Sequence, residues 1–327
     1  MQRRDLLKLS TLALLPVKLY ANEASSQLTG IILDARFADY QISASHPESP
    51  QRYLAVAQTL SHANVARKLQ KLTANPAEPK WLSTIHSLEH QASIKRHVAS
   101  AYEVARLATG GVLACVDAVI NGQVKNAFCA SRPPGHHATN TGQEEGFCYF
   151  NHIAIAARYA QQQYGLKKIL IVDWDYHHGN GTEWAFYDDP SVLFFSTHDM
   201  LAYPGTGLPE RTGSGDGMGF NINVHLPCGS GDADILAAFE QDLKPAVNDF
   251  QPELILVSAG FDSRVDDVLG CHEITDDGFQ TLTRFVMQLA DKYCDGKLVS
   301  VMEGGYQVEG LQQAVLTHVK TLTGPSI

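Results

Sequence analysis

The 327-residue chain has six cysteines but no C-x-x-C pair, so neither a zinc-finger nor a dithiol-redox spacing is present. Cys115, Cys129, Cys148, Cys228, Cys271 and Cys294 stand mostly in apolar surroundings such as GFCYF, and are expected to be small buried hydrophobes and not a disulfide framework. No apolar stretch reaches the roughly 18–20 residues a spanning helix needs, which excludes stable membrane insertion by that route. No basic run occurs either. Lys and Arg total 25 against 35 Asp and Glu, a formal net charge of -10, and such a chain is a poor general binder of nucleic acid. Internal repeats and low-complexity linkers are also lacking, so solenoids and disordered arrays fall away. The rest is a globular composition, 44% hydrophobic and 18% charged, long enough for one large α/β domain or two ordinary ones. No oligomeric state can be read from it.

The N-terminus differs from the rest. MQRRDLLKLSTLALLPVKLYANEAS places Arg3-Arg4 before a short apolar run from Leu9 to Leu15, a pattern resembling a twin-arginine export signal. Pro16 and Lys18 interrupt the run, and no clean A-x-A site follows. Residues 1–24 therefore read as such a signal or as an N-terminal arm, with a periplasmic or exported protein expected and a cytoplasmic one as the alternative.

Beyond it, short apolar runs alternate with glycine-rich loops and amphipathic segments. Residues 169–172 are Ile-Leu-Ile-Val with no polar alternation, which is how a strand buried on both faces of a parallel sheet reads. GIILDARF (30–37), SVLFFSTHD (191–199), PELILVSAGFD (252–262) and KLVSVMEGGY (297–306) repeat the form. Helices are predicted over 89–108, 150–165, 232–250 and 275–293, with Gly165 suited to a helix end and Thr275 to an N-cap. Alternating strands and helices imply an α/β fold with a mainly parallel central sheet covered by helices on both faces. Ligands in such folds gather at the carboxyl ends of strands. The Gly- and Pro-rich stretch 199–219 is too long for a passive connection and is expected to serve the site.

Two histidine doublets stand out, in RPPGHHA (132–138) and in DWDYHHGNG (173–181). In extended chain, alternate residues share a side, so Asp173, Asp175 and His177 point together off the strand end while His178 points away. Carboxylates buried at a sheet end cost several kcal/mol unless paired or coordinated. Asp262, closing SAGFD, offers a third ligand beside Asp175 and His177. Two Asp and one His leave a fourth position open, as in a catalytic zinc site.

The motifs HPESPQR, RPPGHHA, GFCYFN, VDWDYHHGNGT, FYDDPSV, FNINVHLP, VSAGFD and EGGY resemble, in order and over nearly the whole chain from residue 46 to 306, the zinc-dependent histone deacetylase and acetylpolyamine amidohydrolase superfamily, class II branch. The resemblance implies the arginase/deacetylase fold, with residues 25–327 as one catalytic domain. It implies zinc on Asp175, His177 and Asp262; His136 and His137 as the acid–base pair; and Tyr306 as hydrogen-bond donor to the substrate carbonyl. Asp173 would orient His136. Asn180 stands where some relatives carry Asp as partner of His137. Gly146, Phe147, Tyr203, Leu269 and Gly304 would line the acyl tunnel. Leu269 occupies a place where some polyamine-selective relatives carry Glu, which favours a neutral or peptide-like substrate. Asp266-Asp267-Val268 replaces the frequent x-Gly-Asp-Pro, so a differently shaped rim is expected. Structural potassium is implied at Asp173, Asp175, His177, Ser196 and Thr197, and at a second site of Phe186, Asp189, Val192 and Phe220. The expected activity is hydrolysis of acetyl or other acyl groups from lysine-like amides. An acetylpolyamine or other small acyl-amide is the alternative substrate, and a non-catalytic acyl-ligand module a remote one. A two-manganese ureohydrolase lacks its extra carboxylates, because Gly179 and Arg264 stand in their places.

Overall fold

The short β-branched runs become strands β1 Thr29–Ile32, β2 Leu69–Lys71, β3 Asn126–Cys129, β4 Ile169–Asp173, β5 Val192–His198, β6 Asn221–His225, β7 Leu254–Ala259 and β8 Leu298–Met302. The computed structural model of the protein describes residues 28–62 and 64–324; the segment read as an export signal lies outside the described residues. The strands form one sheet in the order β2-β1-β3-β8-β7-β4-β5-β6, with every pairing parallel. Alternation along β4 feeds two cores. Ile169 and Ile171 pack on one face with the helices Ala99–Ile120 and His152–Tyr164. Leu170 and Val172 pack on the other with Pro50–His62, Asp276–Tyr293 and Val308–Leu322. A sheet buried on both faces has no solvated side to demand polar residues, which is why β4 (ILIVD) and β7 (LILVSA) carry none until their ends.

Helix ends follow their local chemistry. The Asn151 side chain accepts the Ala154 N–H at the start of His152–Tyr164, and Gly165 ends that helix at φ +73°. Thr275 caps Asp276–Tyr293 through the Gly278 N–H. The helix expected over 89–108 is two, Leu88–His97 and Ala99–Ile120, broken at Val98 (φ -142°, ψ 69°). The pieces pack on each other, so the apolar rhythm runs across the break and hides it. Over 232–250 the helix widens into a π turn at Phe239–Leu243 just before Pro245. That ring cannot donate to, and would press on, the carbonyl four residues back; a wider turn relieves both conflicts. No helix among the described residues is long and apolar enough to cross a membrane.

The cysteine expectation holds for four residues and fails for two. Cys115, Cys129, Cys148 and Cys294 are buried free thiols. Cys228 and Cys271 form a disulfide, with Cα atoms 5.1 Å apart and a sequence separation of 43. Apolar context could not reveal this pair, because each half lies in a loop: one follows β6, the other follows β7. The loops are also tied by Gly229 N–H to Cys271 C=O (2.8 Å) and Glu273 N–H to Ser230 C=O (2.8 Å). Closing a loop of this length stabilises by about 2–4 kcal/mol through the unfolded chain. Adding a phosphine reductant should therefore lower the melting temperature of the wild-type protein by several degrees, and leave that of Cys228→Ser unchanged.

Candidate active site at the carboxyl edge of the sheet

Four adjacent strands, β3, β8, β7 and β4, send their following loops to one place. From β4 come Asp175 and His177, and from β7 comes Asp262. Their ligand atoms all lie within 4.8 Å of one another. His177 Nδ1 is 3.0 Å from Asp262 Oδ2 and 3.2 Å from Asp175 Oδ1. Backbone amides steady both carboxylates: Tyr176 N–H donates to Asp262 Oδ1 (2.9 Å), and Gly304 N–H to Asp175 Oδ2 (2.8 Å). The glycines that press on them leave no room for a side chain. A Cβ on Gly304 would stand 2.0 Å from Asp262 Oδ2, and one on Gly260 would stand 2.1 Å from Asp175 Oδ2.

Two buried carboxylates at this point share one imidazole. Burial, reinforced by the neighbouring Asp175 charge, pushes Asp262 up to about 7. Burial works the same way on Asp175, but His136 and His177 overcome it and hold that carboxyl below its usual range. Burial would lower His177; hydrogen bonds to Asp175 and Asp262 instead raise it to about 10. Two buried carboxylates converging on one imidazole nitrogen make a donor set that suits a divalent cation, which would take over the neutralising done by the His177 proton.

Asp173 turns away from this cluster. Its Oδ2 accepts from His136 Nδ1 at 2.9 Å, and its Oδ1 accepts the Asp175 N–H at 3.1 Å. His136 Nε2 lies 3.8 Å from Asp175 Oδ1. Burial opposes charge on His136, yet Asp173 and Asp175 outweigh it and raise its pKa well above the ordinary value. His137 goes the other way: burial first, then the charges of His136 and His177, hold it well below. Its Nδ1 donates to Asn180 Oδ1 (2.7 Å), which leaves Nε2 as the lone-pair nitrogen. Two touching imidazoles, 4.0 Å between ring centroids, are thus driven to opposite protonation states. His178 faces elsewhere, with Nδ1 2.8 Å from Thr206 Oγ1 and Nε2 3.4 Å from Glu183.

A cavity of about 580 Å³ opens above these groups, lined by His137, Glu144, Gly146, Phe147, Tyr176, His177, Ala202, Tyr203, Leu269 and Tyr306. The 199–219 loop supplies its Ala202 and Tyr203 side. The Tyr203 ring meets His137 edge-on at 5.0 Å, and Phe147 meets Tyr306 at 5.7 Å. Gly304 is not among the lining residues; it lies behind the carboxylates. The Tyr306 phenol stays protonated, because burial pushes it well above its usual range and the nearby Arg52 only partly offsets this.

Sequence reasoning assigned no role to several supporting groups. Glu303 Oε2 accepts the N–H of Gly135 (2.6 Å) and of His136 (3.2 Å), fixing the histidine pair; burial pushes its carboxyl up to about 7 although His136 counteracts. Arg52 Nε donates to Gly305 C=O (2.6 Å), a further Arg52 nitrogen to Glu303 C=O, and its guanidinium sits 4.7 Å from the Tyr306 ring centroid. Glu48 bridges Arg52 to Arg132, whose Nε and Nη2 bind it at 2.8 and 2.6 Å. Glu48 and Arg52 lie in HPESPQR and Arg132 in RPPGHHA, two of the motifs that carry the family resemblance. Asp267, on the rim, accepts from the backbone of Leu269, Tyr306 and Gln307. At the two implied potassium positions, Ser196 and Thr197 are buried on β5 beside Asp173, and the Thr197 hydroxyl has no protein partner. Phe186 and Asp189 already bond to each other, Asp189 N–H to Phe186 C=O at 3.0 Å.

The histone deacetylase domain family matches residues 46–322. The chain is 36% identical over 298 residues to a probable deacetylase of Archaeoglobus fulgidus, covering 86% of this chain and 82% of that protein. It is 38% identical to the human polyamine deacetylase HDAC10 over 85% of this chain, and spans 44% of that longer protein. The crystal structure of the HDA15 HD domain superposes with a TM-score of 0.85 at 34% identity, covering 92% of this chain and 91% of that one. With a parallel sheet, an Asp-His-Asp cluster at the cavity floor and a matching fold across nearly all the described residues, the protein belongs to the histone deacetylase family of deacetylase enzymes.

Proposed function

We propose that the protein is a zinc-dependent amidohydrolase that removes acetyl or other acyl groups from lysine-like linear amides. The observation that carries this reading is the convergence of Asp175, His177 and Asp262 at the floor of a cavity whose wall holds His137 and Tyr306. Zinc, when held by these three residues, supplies Lewis-acid polarisation of the amide carbonyl and makes water acidic enough to lose a proton near neutral pH. The chain's own residues do the rest. His137, neutral at rest, takes the proton at Nε2 and returns one to the departing amine. His136, held by Asp173, stays positively charged beside it and orients the water. The Tyr306 hydroxyl donates to the oxyanion that develops on the carbonyl. Phe147 and Tyr203 flank an extended acyl-amine stem and exclude water.

Leu269 at the mouth presents no charge to an incoming amine, which favours a neutral or peptide-like substrate over a polycation. The similarity to a polyamine deacetylase keeps acetylpolyamines as the second reading. Potassium at the Ser196/Thr197 and Phe186/Phe220 positions would serve structure, and the unpartnered Thr197 hydroxyl supports the first of these. Export through the N-terminal twin-arginine pattern is part of the same reading. A disulfide between Cys228 and Cys271 suits an oxidising compartment.

Three measurements test this. Chelator treatment should abolish amide hydrolysis across a panel of acetyl-lysine peptides, longer acyl-lysines and acetylpolyamines. One equivalent of zinc per chain should restore it, and a requirement for two would overturn the reading. Tyr306→Phe should lower kcat by about 10²–10³, the usual cost of one oxyanion donor, with metal content unchanged; full activity would remove Tyr306 from the mechanism. Asn180→Asp places a carboxylate on His137 Nδ1, which favours the imidazolium. The acidic limb of the kcat/KM profile should then move to higher pH, and an unmoved limb would count against His137 as the base.

A further inference from the structure

The rim segment after Asp262 does more than border the cavity. We infer that Asp267 is a positioning residue that fixes the Tyr306 hydroxyl over the reacting carbonyl, by gripping the backbone on which Tyr306 is mounted. The inference rests on the role proposed for Tyr306.

One carboxylate joins two walls of the cavity. Asp267 Oδ2 accepts the N–H of Tyr306 at 2.6 Å and of Gln307 at 3.0 Å, while Oδ1 accepts the N–H of Leu269 at 2.9 Å. Hydrogen bonds to an ionised acceptor are about twice as strong as neutral ones, and three on one group define a position. The need for such a grip lies in the chain just before Tyr306. Gly304 must stay small against the metal-binding carboxylates, and Gly305 sits at φ +117°, a conformation open to glycine. Two consecutive glycines leave the tyrosine on a compliant hinge. Arg52 holds one side of it through the Gly305 carbonyl (2.6 Å). Asp267 holds the other side through the next amide. The Tyr306 ring itself touches Phe147 and the Arg52 guanidinium, contacts that fix its tilt but not its reach.

The local backbone aims this carboxylate. Asp266 adopts φ +68°, the left-handed conformation, and Asp267 N–H returns to Arg264 C=O at 3.1 Å. Aspartate is among the few side chains that accept that conformation, so Asp266 can make the turn without a glycine. Farther along, Cys271 anchors the same segment to Cys228. The rim is therefore clamped at both ends, with Asp267 between the clamps.

Because Gln307 also begins the helix Val308–Leu322, Asp267 could serve helix stability alone. A double-mutant cycle separates the two roles. Asp267→Ala, Tyr306→Phe and the double variant are compared in kcat and KM on the best amide of the panel, with metal content and melting temperature measured for each. If Asp267 acts through the hydroxyl, Asp267→Ala lowers kcat by about 10- to 100-fold in the wild-type background, since small misplacements cost that much. In the Tyr306→Phe background it changes kcat by less than about threefold. Hydrogen exchange over residues 303–310 should quicken in the Asp267→Ala protein. Equal losses in both backgrounds, or an unmoved kcat in a folded, metal-loaded variant, overturn the inference while leaving the deacetylase reading intact. An inactive wild type overturns both. If the alanine variant does not fold, Asp267→Asn, which keeps one acceptor oxygen, carries the same cycle.

Discussion

Burial of several carboxylates at one edge of a parallel sheet governs this structure. Asp173, Asp175, Asp262 and Glu303 are all essentially without solvent exposure, and they lie within hydrogen-bonding reach of the same small set of groups. Unpaired, each would cost several kcal/mol or take up a proton. The protein meets them with two imidazoles, with the backbone amides of Gly135, Tyr176 and Gly304, and with a site shaped for a cation. Asp173 and Asp175 outweigh burial and hold the His136 pKa well above its ordinary value. Burial, joined by the charges of His136 and His177, holds the His137 pKa well below its ordinary value.

The sheet order explains how the demand is met. After β3 the chain skips two positions to lay down β4, continues outward to β5 and β6, and returns to fill the gap with β7 and β8. The gap-filling strands bring Asp262 and Tyr306 between residues laid down more than 80 positions earlier. Crossovers of this kind make a crevice at the carboxyl edge, where side-chain demand for satisfaction and room for a ligand coincide. The conformations that the crevice requires are local: Gly304 for contact, Gly305 and Asp266 for turning.

Farther out, Arg52, Glu48 and Arg132 form a fully buried ionic chain, tied to the carbonyls of Phe37, Tyr40, Glu303 and Gly305. Paired charges of this kind add little net stability over apolar packing, but removing one partner leaves the others stranded. Here they connect the N-terminal part of the chain to the loop that carries Tyr306. The Tyr306 wall of the cavity is therefore held by residues from both ends of the described chain.

The sequence by itself determined the fold class, most element positions and the metal-binding candidates. Uniform apolar runs such as Ile169–Val172 can satisfy only a doubly covered parallel sheet, and Asp175, His177 and Asp262 sit where those runs stop. Local pattern also separated His177 from His178, but it grouped Asp173 with the metal-binding candidates, whereas the strand ends at Asp173 and its carboxylate turns to His136. Other features were decided only in three dimensions. The Cys228–Cys271 pair, the break at Val98 and the cavity's lining depend on which loops become neighbours, and neither spacing nor hydropathy encodes that. The opposite protonation of His136 and His137 follows from distances to Asp173, Asp175 and Asn180. Asp267 is the clearest case: in sequence it is one acid in a polar loop, and only the folded chain places its carboxylate between Leu269 and Tyr306, where it accepts from both backbone amides.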